Sequence, residues 1–231
     1  MKINFISKLT LAVLLAANFF TPAAFGQNEP AADAEQKRAA EWVAALKLAD
    51  AARAARVAEV IATHLTAVRD WHNSHSPTNV PAGINPVTGK KLSDLERQVI
   101  ADSALPKSVH EDLMSGLRQD LNEEQVAAVL DKYTIGKVAF TLNGYRSIVP
   151  DLKPAEEKTI RGFLETAREQ AVDFKNMKEI SVIFEIYKTK SEQYLNANGR
   201  NWKQLYQDYT AAIKAKQTAQ AAATNSVPAA K

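Results

Sequence analysis

Apolar residues recur every three or four positions from residue 35 to residue 213, a spacing that restricts the chain to amphipathic helices. After Asp50 the stripe Val57, Val60, Ile61, Leu65 and Val68 advances in steps of 3, 1, 4 and 3, which keeps it on one helix face. Similar stripes follow: Val126, Val129, Leu130 and Tyr133; then Ile160, Phe163, Leu164, Ala167 and Ala171. Later come Ile180, Ile183, Phe184, Tyr187, Tyr194 and Leu195, and lastly Trp202, Leu205, Tyr206, Tyr209 and Ile213. The fold class is all-α, a single multi-helix, bundle-like domain.

Start and stop signals divide the pattern. Helices are expected over 35–48 and from Ala51 to about Asn73, with Asp50 as cap. Residues 76–92 hold three prolines and two glycines and form a long loop, of a length that is usually functional or mobile. Ser93 and Glu96 fit a capping box. Pro106 interrupts the helix that follows or starts a new one. Asn122 and Gln125 fit a second box, with Leu121 stapled to Val126, and that helix ends near Gly136. Pro154 opens another helix. Segment 137–150 is ambiguous: its β-branched and aromatic residues fit a short strand pair around Asn143-Gly144, or a helix or extended cover over the core. The apolar faces continue on both sides of the 76–92 loop, which favours one domain over a division there.

The first 26 residues read as a cleaved signal peptide. Lys2 and Lys8 precede the apolar run Leu9–Phe20, and Ala24-Phe25-Gly26 supplies small residues for cleavage before Gln27. The run falls short of the ~20 residues of a spanning helix, and no later stretch is apolar enough to insert in a membrane. The expectation is an exported chain, periplasmic or secreted: a flexible lead over 27–34, a helical domain over 35–213, and a disordered Ala-rich tail over 214–231.

Composition removes whole classes of chemistry. The 231 residues include no cysteine and 8 scattered glycines, which excludes disulfides, thiolate zinc sites, cysteine nucleophiles and glycine-rich phosphate loops. A formal charge of +3, from 29 basic and 26 acidic residues, is too balanced for a nucleic-acid partner.

Several short elements together resemble a family. They are Trp42, Ala-Ala-Arg-Val at 54–57, Leu-Asn-Glu-Glu-Gln-Val at 121–126, Gly144-Tyr145, and Pro150 ahead of a second helix start. To these add Ala167-Arg168-Glu169-Gln170-Ala171 with Asp173, Tyr187-Lys188, and Tyr194-Leu195 with Gly199. Over 35–209 the chain resembles exported bacterial proteins known as domain of unknown function 3826. The resemblance implies an association with polysaccharide utilisation and carries no catalytic residue. The second start, Leu152-Lys153-Pro154-Ala155-Glu156, departs from that family's Leu-Thr-x-x-Gln pattern at the cap. The paired starts are also similar to those of Spy/CpxP-type periplasmic proteins.

The polar candidates are few. At about 100° per residue, His64, His72 and His75 fall within roughly 60° of Val57 on the core-facing side of their helix. They read either as a ligand-binding or acid–base pocket with the 76–92 loop as lid, or as a satisfied core histidine and two residues fraying into the loop. His72 and His75 are spaced to share a metal, but Asp70 points elsewhere, so no metal or other cofactor is assigned. His110-Glu111 lacks a zinc-protease partner because Met114 stands in the second histidine's place. Arg168, Glu169 and Asp173, with Lys188, form either a carboxylate-and-cation site suited to glycosidic chemistry or ordinary surface pairs. The tyrosines 145, 187, 194, 206 and 209 with Trp202 are a sugar-stacking platform or core packing, Tyr145 being the one in the irregular segment. The reading carried forward is a non-catalytic binding or accessory protein of polysaccharide utilisation, with a glycan or protein as ligand. The alternative is a carbohydrate-active enzyme acting on a polysaccharide fragment.

Overall fold

The computed structural model describes residues 31–86 and 88–225, with side chains from 34 to 220. The expected signal peptide, the start of the lead and the end of the tail lie outside these residues. Among the described residues there are nine helices: α1 (Ala31–Ala44), α2 (Ala51–Ser74), α3 (Asp94–Asp102), α4 (Lys107–Asp120), α5 (Glu123–Tyr133), α6 (Lys137–Ile148), α7 (Pro154–Ala171), α8 (Met177–Ala197) and α9 (Trp202–Asn225). No strand occurs among them, only an isolated bridge between Ile84 and Lys91. The chain is all-α. None of these helices is long and apolar enough to cross a membrane.

Local chemistry sets the helix ends. The Asp50 carboxylate accepts from the N–H groups of Ala52 and Arg53 at 2.8 and 3.2 Å and starts α2. Both halves of the two capping boxes form: Glu96 N–H to Ser93 Oγ at 3.2 Å with Ser93 N–H to Glu96 at 2.7 Å, and Gln125 N–H to Asn122 at 2.8 Å with the return bond at 3.2 Å. At α7 only the return bond is made, from Lys153 N–H to Glu156 at 2.9 Å, because a lysine side chain has no acceptor to offer.

Two apolar cores form. One joins α1, α2, α4 and α5 around Val57, Ile61, Leu113, Leu117 and Val129. The other joins α6, α7 and α8 around Leu142, Ile160, Leu164, Phe184 and Leu195, with Trp202 and Tyr206 of α9 against it. The turn after α7 is shared. Val172 enters the first core while Ala171 and Phe174 enter the second, which leaves Asp173 on the seam. Elements on both sides of the 76–92 loop pack together, α2 with α4 and α1 with α5.

The structure decides between the readings of segment 137–150 and moves the boundaries of two helices. Segment 137–150 is helical: Val138, Leu142, Tyr145 and Ile148 are buried at helix spacing, so burial overrides their β-propensity. Helix α1 begins at Ala31, within the expected lead, and ends before Lys47, whose φ of 53° breaks it. Helix α9 continues to Asn225, through the residues expected to be disordered from 214. Alanine, lysine and glutamine are strong helix formers that need no packing to continue a turn. Among its described residues the 76–92 segment packs against the helix that follows it. It holds a 3-10 turn, Pro77–Asn79, and lies along α3, where Arg97 donates to the carbonyls of Val80 and Thr78 at 2.6 and 3.2 Å.

Candidate active site

The seam gathers imidazoles and carboxylates from both cores. Asp173 accepts from His64 Nε2 (α2) at 3.1 Å through Oδ1 and from His110 Nδ1 (α4) at 2.9 Å through Oδ2. His64 is fully buried on the Val57–Ile61 face, where the stripe places it. Its Nδ1 has no hydrogen-bond partner, and its ring meets the edge of Tyr133 at 5.4 Å. His110 is half-buried, and its second nitrogen, Nε2, lies 3.8 Å from Glu169 of α7. The imidazole is thereby fixed on one side and faces a second carboxylate on the other.

Electrostatics favour the charged pair. The bond to Asp173 raises the His110 pKa above its ordinary 6.5, with Glu169 adding to the effect and burial opposing it. Burial is the largest influence on Asp173 and pushes its carboxyl upward. The two imidazoles together outweigh it, so the net shift is below the ordinary 3.8. A cleft of about 960 Å³ opens over this pair, bounded by α4 and α7, with Lys107, His110, Glu165, Glu169 and Asp173 among its walls. The arrangement can present a positioned imidazolium as proton donor to a ligand in the cleft, beside a carboxylate able to take a proton.

A second polar group lies on the same seam. His72 (α2) contacts Asp102 (α3), Nδ1 to Oδ2 at 2.7 Å, and Glu179 (α8) at 3.5 Å. Gln98 donates to the other Asp102 oxygen at 2.9 Å, and Asn176 donates to Glu179 Oε1 at 2.7 Å. Glu179 Oε2 is buried without a partner. Burial pushes the Glu179 carboxyl up; His72 opposes this and Asp102 reinforces it.

The other sequence candidates take structural roles. His75 caps the end of α2, bonds the Trp71 carbonyl through Nδ1 at 2.8 Å and stacks on the Trp71 ring at 3.7 Å. It therefore does not share a ligand with His72. Tyr145 is a core residue, 2% exposed, with its hydroxyl donating to the Lys188 carbonyl at 3.1 Å. Its neighbours in the supposed sugar platform, Tyr187, Trp202, Tyr206 and Tyr209, likewise pack in or against the second core. Arg168 borders the cleft but turns its guanidinium to α5, donating to Asp131 at 2.9 Å and to the Ala127 carbonyl at 3.3 Å. Lys188 pairs with Glu185 at 2.7 Å. Of the constellation read from α7, only Glu169 and Asp173 reach the imidazole.

Sequence reasoning set His110 aside because no second histidine follows it. Its signal was position: it lies one turn before Leu113 and Met114 and two turns before Leu117, all buried, so it falls along the core edge of α4. Asp102 and Glu179 were missed for the same reason, as acids at core-facing positions. No curated protein matches the chain. Over residues 32–215 it matches the family described as "Protein of unknown function (DUF3826)". With nearly all the described helices inside that match, the chain belongs to the DUF3826 family.

Proposed function

We propose that this is an exported enzyme that takes a polysaccharide fragment into the α4–α7 cleft and acts on it by acid–base chemistry, with His110 as the catalytic group. The observation that carries this reading is the clamped His110 ring, fixed through Nδ1 by Asp173 and turned toward the cleft on its other side. Asp173 is a positioning residue that keeps the imidazole charged, and Glu169 is the proton acceptor opposite. The cleft walls are rich in charged groups, with Ser103, Thr166 and Gln170 among them, which suits a hydroxyl-bearing ligand. The polysaccharide setting and the export rest on the resemblance and on the signal segment.

The second reading is the non-catalytic binding or accessory protein. It is favoured by the 3.8 Å approach of His110 to Glu169, since an imidazolium held between two carboxylates can simply anchor the fold. Client binding of the Spy/CpxP type has less support, because both paired helix starts are engaged in capping bonds.

The test is product analysis after incubation with pectic and hemicellulosic oligosaccharides, alongside calorimetry with the same fragments. New products are expected, and His110→Gln should lower kcat roughly 100-fold or more with KM little changed. Activity should fall as pH rises through the elevated His110 pKa. Binding without turnover replaces this reading with the second; neither binding nor turnover removes both.

A further inference from the structure

We propose that His72, Asp102 and Glu179 form a binding site for one divalent transition-metal ion, with zinc the best match. The three side chains come from α2, α3 and α8, and one donor atom of each lies within 4.8 Å of the other two. Donors bound to one tetrahedral zinc at about 2.0–2.2 Å stand roughly 3.4 Å apart. Small side-chain movements therefore convert the observed cluster into a coordination shell.

Three independent features point to a cation. First, Glu179 is only 1% exposed, yet its Oε2 has no hydrogen-bond partner. A sealed carboxylate oxygen without a donor is costly unless something positive meets it. Second, Asp102 is also buried, at 3% exposed. Two sealed carboxyl groups thus face one imidazole, a donor set whose charge a divalent ion balances when it binds.

Third, the supporting bonds are those of a ligand shell. Gln98 donates to Asp102 Oδ1 and also to the His75 carbonyl at 3.0 Å, tying the end of α3 to the end of α2. Asn176 donates to Glu179 Oε1 while capping α8 through the N–H groups of Lys178 and Glu179. Amides that orient carboxylates in this way are the usual outer shell of a metal site. One imidazole with two carboxylates selects zinc or manganese over calcium and magnesium, which favour all-oxygen sites. Asp102 also borders the cleft, so a fourth position can open toward it, the pattern of a zinc site that retains a water or a ligand. This inference does not depend on the role proposed for His110.

The experiment is calorimetric titration of the full, chelator-treated chain with zinc chloride at pH 7.5, with calcium chloride as comparison. One zinc per chain is expected, with no saturable calcium binding, and with a rise in melting temperature on zinc addition. Glu179→Gln and His72→Ala should each weaken binding about 100-fold or more, whereas His110→Gln should retain it, which separates this cluster from the His64–Asp173–His110 group. X-ray absorption of the zinc-loaded wild-type chain serves if a variant fails to fold, and one imidazole among oxygen donors is expected. Absence of one-to-one binding, equal affinity in folded Glu179→Gln, or a spectrum with two or more imidazoles overturns the proposal. None of these results alters the expected His110 turnover.

Discussion

Asp173 holds two imidazoles from neighbouring helices, α2 and α4, and its energetic role follows from the direction of each shift. The raised His110 value means that the imidazolium stabilises the fold fully below its ordinary 6.5, and this contribution is lost as pH rises through the elevated value. The lowered Asp173 value means that the carboxylate contributes above its ordinary 3.8 and is lost as pH falls through the depressed value. Thermal stability should therefore peak between the two, and Asp173→Asn should flatten both limbs at a cost on the order of 1 kcal/mol in the plateau. Melting temperatures from pH 3 to 9 would check this; an unchanged profile would count against the pair. Arg200 makes a comparable clamp at the far end of α7. It forks onto buried Glu156 at 2.8 and 2.7 Å and reaches Asp151 at 2.8 Å. The forked bond to Arg200 lowers the Glu156 carboxyl to about 2. Arg200→Ala should cost on the order of 2 kcal/mol, between the values for exposed and buried pairs, and the loss should shrink as pH falls below the ordinary 4.5 of Glu156. Denaturant unfolding at pH 7 and pH 3 gives the comparison.

Helix packing adds constraints at the element scale. A Cβ placed on Gly116 of α4 would stand 2.8 Å from Val60 Cγ2 of α2. Gly116→Ala should therefore destabilise by about 1–3 kcal/mol despite the better helix propensity of alanine, and Val60→Ala should relieve part of that loss in the double variant. Chemical denaturation of both variants tests the contact. Ile135 is strained: it has φ 47° and is 71% exposed between α5 and α6. A β-branched residue is disfavoured there by about 1–2 kcal/mol, so Ile135→Gly should raise stability by about 1 kcal/mol in the same assay. These elements also show what could be read in advance. The α5 cap was legible because Asn122 and Gln125 carry their function in a three-residue spacing. The α6 helix was not, because Val138, Tyr145 and Ile148 favour strands locally and become helical only by burying their face against α7 and α8. The close approach of Gly116 to Val60 has no local signature at all.

At the scale of the whole molecule, two cores meet along a polar seam. His64, Asp173 and His110 lie on it, as do His72, Asp102 and Glu179. The helical periods made both cores legible, including the inward placement of His64. They could not show that α2 brings His64 to Asp173, a partner 109 residues away, because side-chain pairing between helices leaves no mark in the spacing of either. Along this seam Asp173 holds His110 as the charged group of the cleft. Nuclear magnetic resonance titration of the four histidine rings tests it most directly. In the wild-type chain the His110 ring should titrate above 6.5, and in Asp173→Asn its midpoint should drop. A His110 ring titrating at or below 6.5 in the wild type, or unmoved by Asp173→Asn, would contradict the account.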